Sequence, residues 1–200
     1  MSKKTYSGYT AKTAENLLLD AGAFFINYDM EKDTFDTAVV ANKLLGATRG
    51  GGNFSAVPEI RSIEVDGVKG KAKGLQVIDS WAVKMTANVL EVTKDGLAKA
   101  LTASEIDTST NETYDIIKAK NFIELTDYIE NITFVGKKSG TTEPVIIQIY
   151  NALNTTGLSL ETKDKGEAVI AMEFEGHYED TDLDNPPFAI FYPKATPAGA

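Results

Sequence analysis

The sequence predicts a mainly β protein, an antiparallel β-sandwich or distorted barrel with one or two short peripheral helices. Three observations carry that expectation. Between Gly74 and Asp95 the chain alternates almost without a break, with Leu75, Val77, Trp81, Val83, Met85, Ala87 and Val89 at one parity and Ser80, Lys84, Thr86 and Asn88 at the other. Successive side chains of a strand point to opposite faces, so this pattern describes one apolar side and one wet side. A second alternation runs from Glu167 to Tyr178, with Ala168, Ile170, Met172 and Phe174 inward and Glu173, Glu175 and His177 outward. No helix–strand alternation occurs, which argues against a parallel doubly wound sheet.

The length of the first alternation matters as much as its pattern. Strands ordinarily run about 5–6 residues, and this one approaches ~18, or roughly 60 Å at ~3.3 Å per residue. A domain that folds alone seldom needs such a strand, whereas one that carries its sheet into a neighbouring subunit does. The chain therefore reads first as a building block.

The other elements follow in chain order. Residues 16–28 predict one or two short apolar strands interrupted near Gly22, then a polar stretch from Asp29 to Asp36. Thr37–Leu45 fits either a strand or a short helix. Residues 46–53 contain Gly50-Gly51-Gly52, which give the backbone no fixed preference and predict a mobile loop. Phe54–Val65 reads as a strand, and Asp66-Gly67 is a hairpin signal. The tip over residues 66–74 is basic and glycine-spaced, with Lys69, Lys71 and Lys73. Thr93 is an N-cap for a helix with Leu97, Ala98 and Leu101 on one face. Further strands are predicted at Thr113–Lys120, Asp127–Gly136 (with Tyr128, Ile132 and Phe134 at one parity), Pro144–Ala152, Glu167–Tyr178 and Phe188–Tyr192. Residues 1–192 form one domain on this reading, and 193–200 form a flexible tail.

Composition narrows the function classes. The 200 residues are 42% hydrophobic and 24% charged, as in ordinary globular proteins. There is no cysteine, hence no disulfide framework, thiolate metal site or cysteine nucleophile. The single histidine, His177, leaves little room for imidazole chemistry, and no Gly-x-Ser-x-Gly elbow accompanies it. Residues 1–6 lack an apolar core of a secretory signal, and no run of ~18 apolar residues exists, so the expected site of synthesis and folding is a cytoplasm. The net charge of −9, with Arg49 and Arg61 the only arginines, disfavours a nucleic-acid grip. It suits solubility, or a surface that must not adhere to DNA passing close by.

No chemical motif survives inspection. Arg49-Gly-Gly-Gly-Asn53 lacks the Lys-Ser/Thr and the following helix of a phosphate-binding loop. Asp180-Thr-Asp182-Leu-Asp184 opens like a calcium loop, but Asn185 and Phe191 occupy the positions that need glycine and glutamate. His177 has no partner histidine for a common zinc site and is expected on the surface of an acidic strand. Glu173 and Glu175 lie on one strand face and are expected to be solvated or to line something polar. Neither a catalytic residue nor a cofactor or metal ligand is assigned.

Several segments together resemble the major tail tube proteins of long-tailed, non-contractile bacteriophages and prophages. They are Leu44-Leu-Gly-Ala-Thr-Arg-Gly-Gly-Gly-Asn-Phe54, Pro58-Glu-Ile-Arg-Ser-Ile-Glu-Val-Asp-Gly67, Gly70 and Gly74, and Trp81-Ala-Val-Lys-Met-Thr-Ala-Asn-Val-Leu-Glu-Val-Thr93 with the short helix behind it. Val145–Leu160 and Gly166-Glu-Ala-Val-Ile-Ala-Met-Glu-Phe-Glu-Gly-His-Tyr178 look like the family's closing strands. About half the chain is covered, by an order of elements rather than a catalytic signature.

The resemblance implies a virion protein of the tail-tube β type whose six-membered rings stack into a hollow tube for DNA delivery, assembled in the bacterial host cytoplasm. Its partners would be itself and the tape-measure, tail-initiator and tail-terminator proteins, with DNA passing through the lumen unbound. On that reading Arg49, Gly50, Gly51, Gly52 and Asn53 contact a neighbour only in the tube, as does the tip at Lys69, Lys71 and Lys73. Thr86, Asn88, Glu173 and Glu175 face the lumen, where the positive Lys84 fits poorly. The inner tube of a contractile injection or secretion apparatus shares this logic. A β-sandwich ligand-binding module, for carbohydrate for instance, is disfavoured by the core parity of the lone Trp81.

Overall fold

A computed structural model describes residues 7–194, and within them the chain is mainly β and antiparallel. In chain order the elements are β1 (Leu18–Ile26), α1 (Phe35–Val40), β2 (Thr48–Ser62), β3 (Gln76–Val89), α2 (Lys94–Ala100), β4 (Ser104–Asp107), β5 (Ile116–Ala119), β6 (Ile129–Lys138), β7 (Val145–Asn154), β8 (Leu160–Lys163), β9 (Gly166–Glu175) and β10 (Phe188–Phe191). Eight strands share one sheet in the order β1-β6-β7-β9-β3-β2, with β10 on β7 and β8 on β9, while β4 and β5 pair separately.

β7 turns this sheet over on itself. From Val145 to Ala152 it pairs with β6, and its last two residues, Leu153 and Asn154, pair with Glu175 and Phe174 of β9. Phe24, Ile132 and Ile149 from one half thereby pack in a single buried cluster with Val83, Met85, Met172 and Phe174 from the other. The alternation in the sequence explains the inward set, since Val83, Met85, Ala87 and Val89 are all but fully buried and the residues between them are not. A second cluster of Phe25, Tyr28, Ala38, Val135 and Ile146 lies under α1.

Both helices start where a side chain supplies the missing acceptor. Thr34 caps α1 in a reciprocal box with Thr37, and Thr93 accepts the Gly96 N–H at 3.0 Å to open α2. Of the Thr37–Leu45 stretch, which fitted strand or helix, residues 37–40 end α1 and residues 41–45 form a turn with a single bridge from Leu44 to Phe25. At the other end of α2, buried Asn154 donates from Nδ2 to the Ala100 carbonyl at 2.9 Å, tying the helix to β7. Asn154→Ala leaves that carbonyl and the Thr156 N–H without their partner. It should lower stability by about 1–3 kcal/mol in a denaturant titration, and an unchanged midpoint would show the bond to be idle.

Four expectations need correction. The mobile loop at 46–53 is instead mostly the start of β2: Gly52 pairs with Ala87 and Asn53 with Thr86, after an irregularity between Thr48 and Gly52. The long strand is shorter than ~18 residues, because β3 covers 14, and only from Trp81 onward does it face the core. β4 and β8 were not foreseen, each being four residues long without clear alternation. The lone histidine, His177, lies beyond the end of β9 and is half-buried rather than displayed on a strand face. Of the tail predicted at 193–200, residues 195–200 lie outside the described residues.

Peripheral loops are held by carboxylates. Asp33 is kept below the usual carboxyl range chiefly by the Lys43 ammonium, 2.6 Å away. Asp107 is held low first by the Thr110 hydroxyl, then by the Ser109 and Thr110 N–H groups and Lys118. Burial pushes Asp127 up, but Lys120 at 2.7 Å overcomes it and the net shift is downward. Lowered folded values mean stabilisation that is complete above the unfolded range and lost as pH falls through the folded values. The melting temperature should therefore be level above about pH 5 and fall below about pH 4. A melting temperature that rises between about pH 5 and about pH 3 would contradict this.

Candidate assembly surface

Antiparallel register decides which polar residues meet. Lys84 lies opposite Glu175, Thr86 opposite Glu173 and Asn88 opposite Ala171 across β3 and β9, while Asn53 and Ser55 of β2 stand opposite Thr86 and Lys84. Directly opposed residues share a face. Thr86, Asn88, Glu173 and Glu175, expected to share an environment, therefore lie on the same side of the sheet, away from Met85 and Met172. Lys84 Nζ sits 2.7 Å from Glu173 Oε1, and that bond, more than the Coulomb field of the carboxylates, raises the lysine pKa. With one cation and two carboxylates the strip sums to −1 per chain, so Lys84 is accommodated without making the face positive.

The glycine run lies at one end of this strip. Gly50 and Gly51 take φ of +80° and +66°, a backbone conformation that L side chains rarely adopt. Gly52 has ordinary backbone angles, but a Cβ there would stand 2.1 Å from the Thr86 carbonyl oxygen and 2.5 Å from the Phe24 ring. Arg49 reaches Glu167 of β9 at 2.6 Å, and this bond keeps the Glu167 carboxyl below its usual range. Both side chains are largely exposed, so the pair contributes little alone.

At the opposite end β2 and β3 run past the core as a two-stranded ribbon. Pairing continues from Pro58–Trp81 through an irregularity at Glu59–Ile60 to Ser62–Gln76. Arg61 clamps Asp79 through Nε and an outer guanidinium nitrogen, at 2.9 and 3.1 Å. Val57, Ile60, Val77 and Ile78 are exposed on the ribbon, as are Ile63, Val65 and Val68 in its connecting loop. Lys69, Lys71 and Lys73 stand at that loop, exposed and free of ion pairs among the described residues. β2 ends the strand order, so beyond Asn53 one of its edges has no strand partner. An exposed apolar edge of this length is a template for pairing with another chain.

Beside the root of the ribbon lies a feature that periodicity could not show. Gly176 N–H donates to the Val83 carbonyl, and Trp81 N–H donates to the Tyr178 hydroxyl at 3.0 Å, so the chain after β9 is bonded beside β3 where the ribbon leaves the core. The His177 ring stands edge-on to Tyr128 at 5.2 Å, with Nδ1 3.0 Å from the Asn151 carbonyl. Asn151 Nδ2 donates to the His177 carbonyl and to Glu179. Two shallow cavities of about 480 and 460 Å³ meet here, sharing Asn151, His177 and Glu179. Tyr128, Asn151 and His177 are brought together only by the pairing of distant strands.

Among the described residues no group of three or more His, Asp or Glu is placed to hold a metal. Every buried side-chain nitrogen and oxygen there has a hydrogen-bond partner, leaving no orphaned group aimed at a ligand. No helix of the described residues is long and apolar enough to cross a membrane. No protein-family model and no curated protein matches the chain.

Proposed function

We propose that the chain is a structural subunit that polymerises with copies of itself into stacked rings, forming the hollow tail tube of a long-tailed phage or prophage. The observation that carries this reading is the β2–β3 ribbon. It extends past the core with aliphatic side chains exposed and its β2 edge open, a surface costly for an isolated chain and useful once a second copy covers it. We read the doubled-over sheet as the distorted barrel, or sandwich, of the tail-tube type. The resemblance supplies the six-fold ring.

The polar strip on β3 and β9 suits a lumen wall. Its net −1 per chain, repeated around a ring, repels the phosphate backbone, and its neutral Thr86, Asn88 and Asn53 offer no guanidinium fork to hold it. DNA then passes without being bound, and no reaction or cofactor is assigned to the chain. Tape-measure, tail-initiator and tail-terminator proteins are the expected partners, in a virion tail assembled in the bacterial host cytoplasm. Negative-stain electron microscopy of the concentrated protein, beside size-exclusion chromatography, tests the proposal. Hollow rods or rings with a lumen that admits duplex DNA are expected. A chain that stays monomeric when concentrated, even with tail-initiator components added, overturns it.

A further inference from the structure

The ribbon tip and the acidic segment at the ribbon's root are oppositely charged surfaces of one chain. The tip presents Val65 and Val68 beside Lys69, Lys71 and Lys73, which outnumber the exposed Glu64 and Asp66 of the same loop. The segment after β9 presents Glu179, Asp180, Asp182 and Asp184, with no Lys or Arg between them and no ion pair among the described residues. Apolar surface accompanies the carboxylates as well, since Tyr128, Tyr178 and the exposed Leu125 line the cavity whose rim is Glu179 and Asp180. Basic with aliphatic thus faces acidic with apolar, which is the complementarity a docked pair of surfaces requires.

A chain cannot easily satisfy this match with itself. Trp81, which donates to Tyr178, marks the root, and five residue steps of β3 separate it from Gln76. At ~3.3 Å per residue this is roughly 17 Å of ribbon, with the connecting loop beyond it. The tip would have to fold back across its own strands to meet its own carboxylates.

We propose that the tip of one copy docks into the acidic-rimmed cavity around His177 and Glu179 of a second copy. This rests on the self-assembly reading and names the surface that meets the ribbon. The interface is heterologous, tip to root, so each copy offers one of each and the contact propagates until the rotation closes a ring. Root and acidic segment lie at one end of the sheet, because β9 runs toward Trp81 as β3 runs away from it.

Charge reversal tests the assignment. Wild type should form rods, while K69E/K71E/K73E and D180K/D182K/D184K, each folded by circular dichroism, should need at least about tenfold more protein to assemble. An equimolar mixture of the two should assemble, since an acidic tip then meets a basic cavity and a basic tip meets an acidic one. Because the chain has no cysteine, a mixture of K71C and D182C gives an unambiguous second readout, a disulfide-linked dimer formed under mild oxidant. Rods from either reversed variant at wild-type concentration, or no linked dimer within assembled rods, overturn the docking assignment alone. Failure of the wild type to assemble overturns the self-assembly reading beneath it.

Discussion

Phe174→Ala is expected to remove about 3–5 kcal/mol of stability, the largest loss of any single substitution considered. Phe174 is fully buried in β9, where Met85 of β3 and Asn154 of β7 flank it in register. It stands where the two halves of the sheet close on each other, so a truncated side chain leaves a void that neither half can fill without moving the other. In a domain of this size the melting temperature should fall by roughly 6–20 °C. Leu183→Ala, at a side chain 68% exposed, should stay within about 0.5 kcal/mol and serves as the control. A Phe174→Ala loss under about 1 kcal/mol would mean that the halves are not packed as described.

Gly52→Ala is the second large effect, expected at about 2–3 kcal/mol. The added methyl would press on the Thr86 carbonyl oxygen and the buried Phe24 ring, and the carbonyl belongs to the strand that β2 must pair with. Gly51→Ala has open space around it, the nearest atom being the Ala21 methyl at 4.0 Å, but must hold φ of +66°. Its cost is conformational, about 1–2 kcal/mol. The ranking is the test: the glycine with ordinary angles should be the less replaceable of the two. Equal losses at both positions would point to backbone freedom alone, as in the mobile loop that the sequence suggested.

That ranking also shows why the glycine run was misread. Three glycines withdraw every local preference and so look like a loop, yet the absent side chain at Gly52 is what lets β2 approach β3 and the Phe24 ring. The inward residues of β3 and β9 were legible because burial obeys the period of the strand, from Val83 to Val89 and from Ile170 to Phe174. The cap at Thr93 was legible because it acts over three residues. The long strand was overstated mainly at its C-terminal end, where Leu90–Thr93 leave β3 for the cap of α2, whereas the alternation from Trp81 back to Gln76 is paired strand that runs beyond the core. The grouping of Thr86, Asn88, Glu173 and Glu175 on one face followed once strand pairing supplied register. The surroundings of His177 stayed hidden because Tyr128 and Asn151 lie 49 and 26 positions away in the chain.

The way β7 is shared has a consequence for amide hydrogen exchange. Its backbone bonds to β6, β10 and β9, so breaking them needs both halves of the sheet to part. Its protected amides should exchange only through global unfolding, whereas ribbon amides from Val57 to Ser62 and from Gln76 to Ser80 should exchange through local opening, orders of magnitude faster. The part of the chain that would seek a neighbour can thus fray and re-form many times without the core ever opening. An assembling subunit built this way corrects a mispaired ribbon quickly while its protease-sensitive interior stays shut.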